Sequence, residues 1–204
     1  MIVRGRSNAA ALVSWNMVFF MLDDLFQTIW AQLAIPVGPL RNPYRLMQLS
    51  TLDEQGWPAS RTVVLRDADA RAGALYFYAD RRSAKCTQIA VDPRVALTAL
   101  SPCGLTQVRM EGLATLVEDI GHRRRCWSAA RDKTQALFRH GAVPGQVIES
   151  PEVAYERIQG GFEHFAILCI EPRALEWLDL TRPVQQRARF LRHEGLWQSS
   201  WLAP

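Results

Sequence analysis

The chain has 204 residues, 49% hydrophobic and 22% charged, with 24 Lys and Arg against 20 Asp and Glu for a net charge of +4. Such a composition excludes a disordered or fibrous protein and leaves length for one domain, at most two, around a real core. A pI of 9.1 suits an anionic ligand as well as nucleic acid, but the arginines are scattered apart from Arg123, Arg124 and Arg125, so no nucleic-acid partner is expected and that run reads as a solvated helix face.

Arg4 and Arg6 followed by an apolar run over 9–20 weakly imitate a signal peptide. Asn8, Ser14 and Asn16 interrupt the run, no small-residue cleavage site follows, and it is too short to span a bilayer, so no membrane partner is expected. Residues 1–20 read as a mis-called start, with Met17 or Met21 as the true first residue, or as a disordered and expendable extension. Over 21–34, Leu22, Leu25, Phe26, Ile29, Trp30 and Leu33 recur at helical spacing, with Asp23 and Asp24 in the first turn and Pro36, Gly38 and Pro39 ending the helix.

The period then changes. Strands are expected at 44–52, 59–66 and 74–79 with turns at 53–57 and 67–73, and two successive hairpins imply antiparallel pairing. Ser83 is placed to cap a helix over 84–91, which Asp92 and Pro93 stop. Strands resume at 95–100 and 106–117, where alternation puts Gln107, Arg109 and Glu111 on one polar face. Helical spacing returns between 121 and 161, with a break at 141–145 and a start at Ser150 and Pro151, followed by strands at 165–170, 174–178, 186–191 and 196–202. No repeat or linker divides 21–204, which reads as a single mostly antiparallel β domain with inserted helices, closed as barrels are to avoid free edges.

Cys86, Cys103, Cys126 and Cys169 form no CxxC pair, and His122, His140, His164 and His193 fall in no ligand spacing, so neither disulfides nor a metal are expected; reduced thiols in a cytoplasmic protein are the simplest account. The chemistry gathers elsewhere. In RTVVLR, Arg61, Val63 and Leu65 share one face of a strand and Thr62, Val64 and Arg66 the other, so the two arginines point apart unless a bulge intervenes. Tyr78 follows, and then RRSAK supplies Arg81, Arg82, Ser83 and Lys85 at a helix start, where backbone N–H groups and a nearby lysine suit a phosphate. Gln107 in TQVRMEG both donates and accepts, which suits a flavin edge carrying a carbonyl beside an N–H.

With these motifs in this order, and with EWLDL, QQRARF and a closing W before LAP, residues 44–204 resemble the pyridoxamine 5′-phosphate oxidase superfamily. The likeness is to a related FMN-binding branch rather than to the vitamin-making enzyme, because of the helix before the barrel, WSAAR at 127–131 and Pro183 ahead of Arg187. The resemblance implies a homodimeric FMN-binding split β-barrel with peripheral helices, an oxidoreductase transferring hydride through the flavin N5 to or from a small-molecule substrate. By similarity the FMN contacts fall on Arg61, Thr62, Val63, Val64, Leu65, Arg66, Tyr78, Ala79, Ser83, Lys85, Gln107, Trp177 and Arg187. Arg61 and Lys85 would hold the phosphate, Gln107 the ring, and Trp177 and Arg187 would come from the partner subunit.

The match has gaps. Ala84 stands where the family carries a basic residue, leaving Arg81 or Arg82 to replace that contact. Pro183 and Gln185 stand where the vitamin-making enzyme has an Arg and a His, and Arg131 and Gln185 are left to face a substrate. Lost charge-assisted contacts of about 1.5–3 kcal/mol each make phosphorylated pyridoxamine a poor substrate. No nucleophile or general acid stands out. A flavin-storing module without turnover, and a haem-binding split barrel for which the scattered histidines offer no axial ligand, are the other readings.

Overall fold

The computed structural model describes residues 9–36, 42–156 and 158–204, with side chains from Met21 onward. Helix α1 (Ala9–Leu33) leads into strands β1 (Leu46–Leu52), β2 (Pro58–Asp69) and β3 (Ala74–Asp80), helix α2 (Ala84–Val91), and strands β4 (Arg94–Leu100) and β5 (Thr106–Leu116). Helices α3 (Ile120–Ala129) and α4 (Asp132–Ala136) and a single 3-10 turn (Pro151–Tyr155) fill the insertion, before β6 (Phe165–Asp179), β7 (Gln186–His193) and β8 (Leu196–Leu202).

All neighbouring strands pair antiparallel in the order β3-β2-β1-β4-β5-β6-β7-β8. A further ladder joins β3 to the first half of β6, from Asp80 opposite Phe165 to Leu75 opposite Ile170, and closes the first six strands into a barrel. Strands β7 and β8 extend the sheet beyond it along the second half of β6. This closure is the split barrel expected from the sequence, and it leaves β1, β2, β4 and β5 with no free edge.

Alternation on each strand fills the interior. Met47, Leu49, Val63, Leu65, Leu75, Phe77, Leu97, Val108, Met110 and Leu175 are all nearly inaccessible and belong to one core, which Leu22, Ile29, Trp30 and Leu33 of α1 join from outside. A second, smaller core of Phe138, Phe165 and Ile167 lies on the outer side of β3 and β6, where Tyr76, Tyr78, Trp127 and Phe162 pack against it.

Several boundaries differ from expectation. Helix α1 begins at Ala9 rather than at residue 21, because the stretch from Ala9 holds strong helix formers and neither Pro nor Gly, while Ser14 and Asn16 cost only tenths of a kcal/mol each. Residues 1–8, part of the proposed extension, lie outside the described residues. Tyr44 precedes its strand, since the Asn42 side chain accepts from its N–H at 2.8 Å and holds a turn there. Strand β6 runs unbroken through Pro172, which falls between the β3 ladder and the β7 ladder, where its missing N–H has no strand to serve. The helical reading of 121–161 yields two short helices and one 3-10 turn, with the helix expected after Ser150 reduced to that turn.

Arg123 is also not on a solvated face. It is buried, donates to the Phe165 carbonyl at 2.6 Å and lies over the Phe162 ring, while Arg124 and Arg125 are exposed.

Candidate functional site

On β2, Arg61 follows the inward parity of Val63 and Leu65, so its guanidinium sits in the barrel mouth beneath α2. There Nη1 donates to Thr51 Oγ1 at 2.6 Å and Nη2 to Gln88 Oε1 at 3.0 Å, and the Thr51 hydroxyl in turn donates to Gln88 at 2.6 Å. Burial lowers the guanidinium from its ordinary pKa, though an arginine stays charged. Neither Thr51 nor Gln88 was anticipated. The available signal was a polar Thr51 at an inward position in the Met47, Leu49, Thr51 series.

Lys85, in the first turn of α2, donates from Nζ to Ser83 Oγ at 2.8 Å. Burial pushes its ammonium below the ordinary lysine value, and the nearby Arg61 charge pushes it further. Ser83 occupies the N-cap position but does not cap, because its hydroxyl donates instead to the Asp80 carbonyl at 2.6 Å. A cleft of about 590 Å³ opens beside this cluster, between Asp53 and Glu54 of the β1–β2 turn and Ala84 and Gln88 of α2.

Both arginines of RRSAK that could stand in for a cation at Ala84 have other partners. Arg82 is committed to Asp80, at 2.8 Å through Nη2, and to the carbonyls of His140 at 3.0 Å and Gly141 at 3.1 Å, tying the insertion to the turn before α2. Arg81 reaches Glu118 at 3.4 Å.

Arg66 is the extra residue of a β-bulge: Leu65 pairs with Phe77 but Asp67 with Tyr76. Its guanidinium lies over the Tyr78 ring on the outer face, 5.0 Å from the centroid, with Nε buried and without a hydrogen-bond partner among the described residues. The Tyr78 hydroxyl is pushed up to about 12, chiefly by burial and then by Cys126, against the opposing pull of Arg66. Val63, Leu65 and Ala79 are core side chains, so only their backbone can meet a ligand, whereas Thr62 is exposed and accepts from Gln48 at 2.9 Å.

A second group lies on the outer face of β5, β6 and β7. Gln107, Leu178 and Arg187 stand in one cross-strand row, and Arg187 Nη2 donates to Glu176 Oε2 at 2.7 Å. Trp177 pairs with Val108 and Ala188 on the opposite face and packs against the main core, so the pleat does not bring it beside Arg187. Arg131, at the N-cap position of α4, and Gln185, just before β7, are exposed.

The donor set fits an anionic, phosphate-bearing cofactor. Among the described residues Arg61, Arg66 and Lys85 pair with no carboxylate, and Arg66 Nε is a buried donor with nothing to donate to. Half-buried cations with no carboxylate in contact carry a desolvation cost that a bound anion would offset.

The model of the "Pyridoxamine 5′-phosphate oxidase, FMN-binding domain" matches residues 30–118. A pyridoxine/pyridoxamine 5′-phosphate oxidase of Pseudomonas syringae pv. tomato is 30% identical over 192 residues, covering 88% of this chain and 87% of that protein. The crystal structure of a pyridoxamine 5′-phosphate oxidase-related, FMN-binding protein from Nostoc punctiforme superposes with a TM-score of 0.69 at 28% identity, over 78% of this chain and 88% of that one. PhzG from Burkholderia lata, solved with tetrahydrophenazine-1-carboxylic acid, shares the fold at a TM-score of 0.67 and 16% identity, over 94% and 92% of the two chains.

Proposed function

Because the chain belongs to the pyridoxamine 5′-phosphate oxidase family and takes FMN as its cofactor, we propose that it is a homodimeric oxidoreductase whose flavin lies between the Arg61–Lys85 region of one protomer and the β6–β7 region of the partner subunit, which carries Arg187 on its outer face and Trp177 on the other. The observation that carries this reading is that Lys85 in the first turn of α2 and Arg61 beneath that helix have no carboxylate partner among the described residues, at a helix start suited to a phosphomonoester, with Arg66 a third such cation on the outer face beside Tyr78.

FMN supplies hydride transfer at its N5 when bound. Arg61 and Lys85 hold the phosphate, with Thr51 and Gln88 fixing the direction of Arg61. Arg66, stacked on Tyr78, contributes a fixed positive charge and one free donor. Gln107 offers a donor and an acceptor to the ring edge, and Arg187 of the partner subunit favours the reduced, anionic form. Leu100, Leu105 and Leu180 are 53%, 45% and 38% exposed in a single protomer and flank Gln107, an apolar rim that a second copy of the chain would cover.

Pro183 and Gln185 are both exposed and uncharged, so neither supplies a charge-assisted grip on a substrate phosphate. Phosphorylated pyridoxamine is therefore a poor substrate.

The test compares FMN with riboflavin in equilibrium binding and then measures turnover. FMN binds at least about tenfold tighter than riboflavin, and Lys85→Ala abolishes most of that difference, each charge-assisted contact carrying about 1.5–3 kcal/mol. Equal affinity for the two flavins overturns the phosphate site. Oxidation of pyridoxamine or pyridoxine phosphate at about 1 per second or faster overturns the substrate reading. Reduction of the bound flavin by NAD(P)H followed by single-turnover reoxidation separates an enzyme from a storage module.

A further inference from the structure

Glu176 sits at the centre of a cross-strand row on the outer face of the sheet, with Arg109 opposite it on β5 and Arg189 opposite it on β7. Its carboxylate accepts from Arg187 at 2.7 Å and lies 3.8 Å from Arg109, so one half-buried carboxylate meets two guanidinium groups, with a third arginine, Arg189, next to it in the row. Arg189 adds a buried Nε without a hydrogen-bond partner among the described residues. The carboxylate engages a single nitrogen of Arg187, which is one-third exposed, and leaves the rest of the planar donor fork available.

We infer that Glu176 is a positioning residue that holds Arg187 in one direction, offsets part of its charge, and so sets how strongly the protein favours reduced over oxidised flavin. The inference rests on the reading that Arg187 meets the flavin. A guanidinium whose charge is partly neutralised stabilises a developing anion less than a free one at the same place. Removing the carboxylate while keeping its shape leaves the full positive charge facing the ring. Affinity for reduced FMN then rises relative to oxidised FMN, and the midpoint potential rises with it.

The experiment measures the midpoint potential of the FMN-loaded protein by stepwise dithionite reduction against a reference dye. Glu176→Gln retains FMN and raises the ratio of reduced to oxidised affinity about tenfold, a shift of about +30 mV for a two-electron couple. Glu176→Asp, which keeps the charge, stays near the unsubstituted value. In an Arg187→Ala background, where FMN binds more weakly and the ratio is read by titrating with oxidised and with reduced FMN, Glu176→Gln produces no further rise in that ratio, because its effect runs through Arg187. An unchanged potential in Glu176→Gln, or the same rise with Arg187 absent, overturns the inference while the flavin site stands. If Arg187→Ala alters neither FMN affinity nor potential, Arg187 is not at the flavin and both readings fall.

Discussion

Lys85 shows how an unremarkable residue type acquires a pH dependence from its surroundings. Burial and the Arg61 charge lower its pKa in the protein without ligand, and a bound phosphate would raise it again by supplying the opposite charge. The protonated form binds the phosphate better, so FMN affinity is full below the lowered pKa and declines as pH rises through it, a decline beginning below the 10.5 of an ordinary lysine. Riboflavin, lacking the phosphate, serves as the control. The FMN-to-riboflavin affinity ratio is expected to fall on the alkaline side, and Lys85→Arg to flatten that fall because a guanidinium does not titrate there. A ratio that stays constant up to pH 10.5 in the unsubstituted protein removes Lys85 from the phosphate site. Arg61 and Arg66 differ from it in kind, since burial lowers both but leaves both charged.

At the scale of elements, two irregularities in the ladders do positional work. The bulge at Arg66 leaves that residue unpaired on the outer face it shares with Tyr78 and shifts the parity beyond it, so that Ala68 turns into the core in place of Asp67. The second irregularity lies between Glu111 and Gly112, where β5 and β6 approach so closely that a Cβ on Gly112 would overlap the Glu171 carbonyl oxygen and lie 2.8 Å from Pro172 Cα. Backbone on both sides cannot yield as a side-chain tip would. Gly112→Ala is therefore expected to cost about 1–3 kcal/mol in denaturant or thermal unfolding. Unchanged stability would show that the two strands separate there more easily than their pairing implies.

At the scale of the molecule, the proposed site is divided between Lys85 before the barrel closes and Arg187 after it, and the dimer is what would reunite them. Lys85→Ala and Arg187→Ala are each expected to bind FMN poorly when pure. Mixed and allowed to exchange subunits, they form heterodimers in which one site receives both native residues and the other neither. Random exchange makes about half the dimers mixed, so about a quarter of all sites recover FMN, by counting under two-fold symmetry. Recovery absent from verified heterodimers would place Lys85 and Arg187 at separate sites or within one chain.

The sequence by itself determined the strands, their hairpin pairing and the families of residues on each face, because turn residues and a period of two are local properties of β1 to β5. Order and approximate spacing of RTVVLR, RRSAK and TQVRMEG likewise sufficed to indicate the flavin-binding family. Which partner each side chain takes was decided only by the tertiary structure. Arg61 meets Gln88 across 27 positions and Arg82 meets His140 across 58, pairings that follow from closing β3 onto β6 and laying α2 over the barrel mouth. The same holds for Glu176, whose place among three arginines depends on the register of β5, β6 and β7. Alternation tells which face a residue occupies, whereas its neighbours on that face depend on strand order and register, and these are set by burying the whole core at once.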